Sequence, residues 1–92
     1  YDPRGSWSMA LAYATADRGA DHLRAWSIVE EAFGKMDPYT TEGKAELVKK
    51  LQDLNTVKWC MVWCDFLAIN YDEMAEYLNL VTGWDVSSKE LQ

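Results

Sequence analysis

The feature that most constrains this chain is the run Trp59-Cys60-Met61-Val62-Trp63-Cys64, which is apolar at every position. It continues a stretch whose first half is two-sided. Leu47, Leu51, Leu54 and Lys58 recur on one side, and Glu46, Lys49, Lys50 and Asp53 on the other. That spacing predicts one long amphipathic helix from Thr40 or Thr41 to about Leu67. A helix with no polar face is one enclosed on every side, so the fold has to cover its second half. The chain has 92 residues to do so, and a domain this small hides a smaller fraction of its surface than a full-sized one.

The remaining elements are helical too. Trp7 to about Asp17 is rich in Ala, Leu and Met, and Arg18-Gly19 supplies a stop. Asp21 can cap a second helix from His22 to about Phe33, with Leu23, Ala25, Trp26, Val29 and Phe33 as its apolar face. Residues 34–39, with Pro38 inside, read as a connecting loop. Asn70-Tyr71-Asp72-Glu73 is a capping box, and the helix it opens closes near Thr82-Gly83. Ser87-Ser88-Lys89-Glu90 is a second capping box, where a fifth helix would begin. No alternating period calls for a sheet. The expectation is an all-α fold of four helices plus the start of a fifth, part of a larger helical domain. The opening Tyr1-Asp2-Pro3-Arg4, without an initiator methionine, and the closing capping box both suggest a piece of a longer protein.

Hydrophobic residues make up 49% of the sequence and five are tryptophan, more apolar material than so short a chain easily hides. Part of it is expected to meet missing neighbouring domains. In isolation the same surface predicts self-association, most simply as a two-fold homodimer with Trp59 or Trp63 near the contact. The net charge of −6, with no basic stripe, argues against nucleic acid. The apolar stretch from Trp59 to Ile69 is too short to span a bilayer, and no membrane segment is read. With no disulfide framework and no signal-like segment, a reducing, cytoplasmic compartment is favoured.

Few residues carry chemistry. His22 is the one histidine. It reads as an ordinary exposed or capping residue, or as a proton donor or acceptor facing a cofactor. On a helix, Cys60 and Cys64 would share a face and could chelate a soft metal. The simpler reading is a pair of buried thiols acting as small hydrophobes. No phosphate-cradling loop, HExxH or nucleophile with a partner base is present.

Three segments add a resemblance: Tyr1-Asp2-Pro3-Arg4-Gly5, Leu11-Ala12-Tyr13-Ala14-Thr15, and Arg18-Gly19-Ala20-Asp21-His22-Leu23-Arg24. In order and spacing they resemble the block YDPRG…GLAYAT…RGxxH of the aldehyde ferredoxin oxidoreductase family. Met36-Asp37-Pro38, Leu51-Gln52-Asp53-Leu54 and Gly83-Trp84-Asp85 stay in register. The resemblance covers residues 1–92 and corresponds to the first part of the family's last helical domain.

It implies a parent with tungsten, or molybdenum, held by two pterins beside a [4Fe–4S] cluster. That parent would oxidise aldehydes to carboxylic acids, with ferredoxin as electron acceptor. His22 would take part in proton transfer, Arg24 and Trp63 would lie against the pterin cofactor, and Cys64 would be the fourth cluster ligand. A cluster needs four such thiolates, so the fragment alone is expected to hold no cofactor and to be inactive. The family pattern before that cysteine is Asp-x-x-Gly-Leu-Cys. Here Trp59 stands at the Asp position and Val62 at the Gly position. An indole only donates, so either the pterin is held differently or that half of the site is altered. The alternative is a small helical interaction domain that kept the fold and lost the chemistry.

Overall fold

The computed structural model describes residues 2–92. Four α-helices are present: α1 (Trp7–Thr15), α2 (Ile28–Ala32), α3 (Lys44–Cys60) and α4 (Tyr71–Thr82). Two short 3-10 turns, Pro3–Gly5 and His22–Arg24, complete the regular structure. Among the described residues there is no strand, and the fold is all-α as the helical spacing requires. The chain divides into two compact units at Gln52/Asp53.

In the first unit Ser6 caps α1, its Oγ accepting from Met9 N at 3.3 Å. Met9 and Ala12 of α1, with Ala25 and Val48, form the buried core, and Leu11, Tyr13, Ile28 and Leu51 pack against it. A core with only one long side chain among its buried members is small, and polar contacts supplement it. The Glu31 carboxylate is buried, accepting from Ser8 N at 3.1 Å, from Ser6 Oγ and from Lys44 Nζ. Lys44 Nζ also donates to the Asp37 carbonyl at 2.6 Å. Side-chain exposure of the Lys44–Glu31 pair is 4% and 2%. Burial pushes the Glu31 carboxyl up, but the bonds from Lys44, Ser6 and Ser8 outweigh it and hold the carboxyl below its ordinary range.

Three helix boundaries differ from the sequence expectation. The predicted second helix is interrupted. Asp21 caps only a 3-10 turn, Ala25 is extended (φ −154°, ψ 94°) and fully buried, and α2 starts at Ile28. Gly43 is left-handed (φ 71°), which delays the start of α3 to Lys44 rather than Thr40 or Thr41. The far end of α3 stops at Cys60, well before Leu67.

Of the row predicted for α3, Lys58 is buried and Leu51 packs on the core, while Leu47 and Leu54 are only half-buried; the other buried residues are Lys44, Val48 and Asn55. In the second unit α4 matches the expectation. The Asn70/Glu73 capping box is formed in both directions, at 2.9 and 3.0 Å, and Gly83 closes the helix in the left-handed conformation. At Ser87, Glu90 reaches back to the backbone N–H at 2.8 Å, and the segment forms a turn.

Candidate functional site

His22 and Arg24 share the 3-10 turn of the first unit. Asp21 positions it, accepting from Leu23 N at 2.9 Å and from the Arg18 guanidinium. Burial pushes the Asp21 carboxyl up, and the Arg18 and Leu23 bonds more than offset this, leaving it below its usual range. The His22 ring lies edge-on to Trp26, centroids 6.5 Å apart. Arg24 pairs with Asp17, Nη2 donating to Oδ2 at 3.0 Å. The turn thus puts an imidazole and a guanidinium two residues apart on a short, side-chain-capped segment, and Asp17 holds the guanidinium in place.

Trp63 and Cys64 sit in the second unit, on the loop that follows α3. This segment is neither helical nor enclosed: Cys60 and Cys64 are both exposed, which corrects the reading of them as buried thiols. The reason is a definite helix stop. Val62 N donates to Trp59 O and Trp63 N to Lys58 O, each at 2.9 Å, the paired bonds of a Schellman closure. The residue between these bonds takes the left-handed conformation, here Val62 at φ 61°. It is the one non-glycine among the described residues with positive φ. It falls where the family pattern has glycine, and with the stop made there the apolar run leaves the helix.

Two side chains then fix the loop. Lys58, only 6% exposed, donates from Nζ to the Leu67 carbonyl at 2.8 Å and to the Asp65 carbonyl at 3.4 Å. A cation at the end of α3 is also favoured by the helix dipole. Trp59 Nε1–H donates to Asp65 Oδ1. Within the loop, Leu67 N donates to Cys64 O at 3.0 Å. The Cys64 thiol is therefore presented to solvent on a backbone tied at both ends of its turn. Trp63 packs edge-on against Tyr77 (centroids 5.5 Å apart, planes at 88°). Trp63 and Tyr77, with Leu67, Ala68, Ile69 and Glu73, line an open cleft of about 370 Å³.

The arrangement suits a ligand position more than a complete centre. An exposed thiol on a pre-set loop can take a soft metal without refolding. Among the described residues, however, no group of three or more His, Cys, Asp or Glu side chains could hold a metal ion. Other ligands would come from elsewhere. The signals that sequence reasoning missed are Lys58 and Asp65. One was taken as part of a helix face, the other as an interruption of an apolar run, and neither role is local in sequence. No helix of the described residues is long and apolar enough to cross a membrane.

Comparison with known proteins shows the family. The family model described as aldehyde ferredoxin oxidoreductase, domains 2 and 3, matches residues 1–92. A tungsten-containing aldehyde ferredoxin oxidoreductase of Pyrococcus horikoshii is 35% identical over 96 residues, covering 98% of this chain. Proteins of the same description from Pyrococcus abyssi and Thermococcus kodakarensis are 34% and 33% identical over the same share. The chain spans 16% of the length of each of these relatives. No solved structure matches it significantly. The sequence blocks, the all-α architecture and the match along the whole chain place this protein in the aldehyde ferredoxin oxidoreductase family.

Proposed function

We propose that the chain is one helical portion, the first part of the last helical domain, of a tungsten- or molybdenum-pterin oxidoreductase. The parent oxidises aldehydes to carboxylic acids, passes electrons to ferredoxin and works in the cytoplasm of an anaerobe. The observation that supports this reading is the exposed Cys64 on its tied loop, at the position to which the resemblance gives the role of cluster cysteine. The tungsten named in the relatives supports the choice of metal.

The residues fit such a cofactor in part. Cys64 supplies one thiolate of the four a [4Fe–4S] cluster needs, and the cysteines outside this chain supply the rest. When bound, the metal–pterin centre supplies the two-electron redox chemistry. This chain's residues position and protonate. His22 exchanges a proton with the substrate through its imidazole, Arg24 offers a guanidinium to the anionic cofactor, and Trp63 contributes a wall beside Cys64. The isolated chain carries no cofactor and no activity. Its exposed Phe66, Leu80, Val81 and Trp84 are surface that the remaining domains of the parent cover, and that a second copy covers when the chain is alone.

The test is the full-length protein, purified without oxygen. Stoichiometric tungsten or molybdenum, iron in a four-iron ratio, and aldehyde-dependent reduction of ferredoxin are expected. Cys64→Ser should lower the iron content. A full-length protein without metal, and without three further cysteines to complete the cluster, would instead favour the interaction-domain reading. That reading draws its support from Trp59 at the Asp position.

A further inference from the structure

Between His22 and Ser27 one side chain is turned out, that of Trp26. Its two neighbours are sealed in the core: Ala25 and Ser27 are each 0% exposed, while Trp26 is 38% exposed. Ala25 runs extended, its carbonyl accepts from Ser27 N at 2.8 Å, and Ser27 Oγ donates to Met9 Sδ at 3.4 Å. The backbone at position 26 is therefore fixed from both sides by buried residues. Hydrophobic burial alone would draw so large an apolar ring inward. Held outward instead, the indole meets the His22 imidazole, with centroids 6.5 Å apart and planes at 61°. That is within the edge-to-face geometry that aromatic rings prefer. A continuous helix would also have set positions 22 and 26 one turn apart. Here the helix is broken at Ala25, and the rings still meet because the core anchors on either side of Trp26 bring them together.

The imidazole has use for such a partner. Asp21 accepts from Leu23 N and pairs with Arg18, and Arg24 pairs with Asp17. These bonds fix the main chain of the turn and leave the two side-chain torsions of His22 to its neighbours. We infer that Trp26 is a positioning residue for His22: its indole limits the imidazole to the orientation from which it exchanges a proton with the substrate. The inference rests on the proton-transfer role proposed above for His22. A group that transfers a proton must lie within about 2.6–3.2 Å of its partner atom. A ring free to swing reaches that geometry for only part of the time. The indole itself takes no part in the reaction.

The test uses the full-length protein, purified without oxygen, with Trp26→Leu and Trp26→Phe. Leucine keeps apolar bulk and removes the ring, and phenylalanine keeps a ring beside the imidazole. Metal and iron content and far-ultraviolet circular dichroism should match the wild type in both. Trp26→Leu should lower kcat for aldehyde oxidation about tenfold and leave KM within about twofold. The solvent deuterium isotope effect on kcat should rise, as the proton step becomes limiting. Trp26→Phe should restore most of the rate. A readout without turnover accompanies these: carbethoxylation of His22 by diethyl pyrocarbonate, located by mass spectrometry. It should run about threefold faster in Trp26→Leu, and near the wild-type rate in Trp26→Phe, because the ring contact is lost in one and kept in the other. A merely structural role predicts lost metal or helix content, or a slower enzyme with an unmoved isotope effect, and either result overturns the assignment. Unchanged kcat in Trp26→Leu also overturns it, and leaves the proposed function standing. A wild-type protein that holds no metal and oxidises no aldehyde would overturn both.

Discussion

Val62 holds a backbone conformation that its side chain disfavours, and replacing it should make the chain more stable. Its φ of 61° places Cβ close to the following carbonyl. For an L-residue that conformation costs about 1–2 kcal/mol, toward the upper end when the side chain is branched at Cβ. The side chain is 91% exposed, so removing it forfeits almost no buried area. Glycine removes the steric cost and adds about 0.4–1 kcal/mol of unfolded-state entropy. The balance for Val62→Gly is a stabilisation of about 1 kcal/mol, equivalent to about 4–8 °C in a domain of this size. Urea and thermal unfolding followed by circular dichroism read it directly. Val62→Ala should recover less than half, because alanine keeps the Cβ. A neutral or destabilising Val62→Gly would refute the argument. It would mean that the Schellman closure at Lys58 and Trp59 does not hold residue 62 left-handed in solution.

Two further outcomes follow from the buried network of the first unit. Lys44→Met removes the ammonium from a Glu31 carboxylate that is 2% exposed, and should cost about 3–5 kcal/mol in urea unfolding. The double variant Lys44→Met/Glu31→Leu should recover much of that loss, because an uncharged pair leaves nothing uncompensated. Glu31 also predicts acid sensitivity. Its folded pKa lies below the ordinary 4.5, so its contribution is full above that value and is lost as pH falls through the lowered folded pKa. Unfolding measured between pH 6 and pH 3 should show this decline in the wild type, and a shallower one in Glu31→Gln.

What could be read from the sequence was what depends on neighbours a turn apart. The α4 boundaries were legible because Asn70, Glu73 and Gly83 satisfy the helix ends within four residues of themselves. The start of α1 at Trp7 was legible from its Ala, Leu and Met content, while its Ser6 cap and its end at Thr15 came from the structure. The α2 region was not. Asp21 offered a cap, but Ala25 is drawn into the core beside Met9 in an extended conformation, and that depends on packing rather than on local preference. The face of α3 was misread because its buried stripe carries two lysines and an asparagine. The sequence reading put Lys58 beside Leu47, Leu51 and Leu54 but left out Lys44, and hydrophobic periodicity cannot see that both lysines are buried for the sake of loop carbonyls at Asp37, Asp65 and Leu67.

That use of lysine links the fold to the candidate site. Each buried lysine of α3 fastens a different loop through main-chain carbonyls, so each loop is held whatever its own side chains are. At Lys44 the loop is structural and a carboxylate, Glu31, balances the charge. Among the described residues no carboxylate pairs with Lys58, whose two bonds go to neutral carbonyls. A buried ammonium without a counter-charge favours an anion nearby, and the loop it holds carries the Cys64 thiol and the Asp65 carboxylate. In the proposed reading, a group docking there through a thiolate would bring negative charge beside that ammonium. The same residue that ties the backbone of the loop thus also biases what the loop can bind. Replacing Lys58 with methionine should loosen the turn from Cys64 to Leu67 and lower iron retention by the full-length protein, even with the thiol intact. Arginine at the same position keeps the charge, but its planar fork differs in shape from the ammonium that fits between the two carbonyls, so it should restore iron only partly. Full retention of iron in Lys58→Met would show that Cys64 is positioned without the clamp.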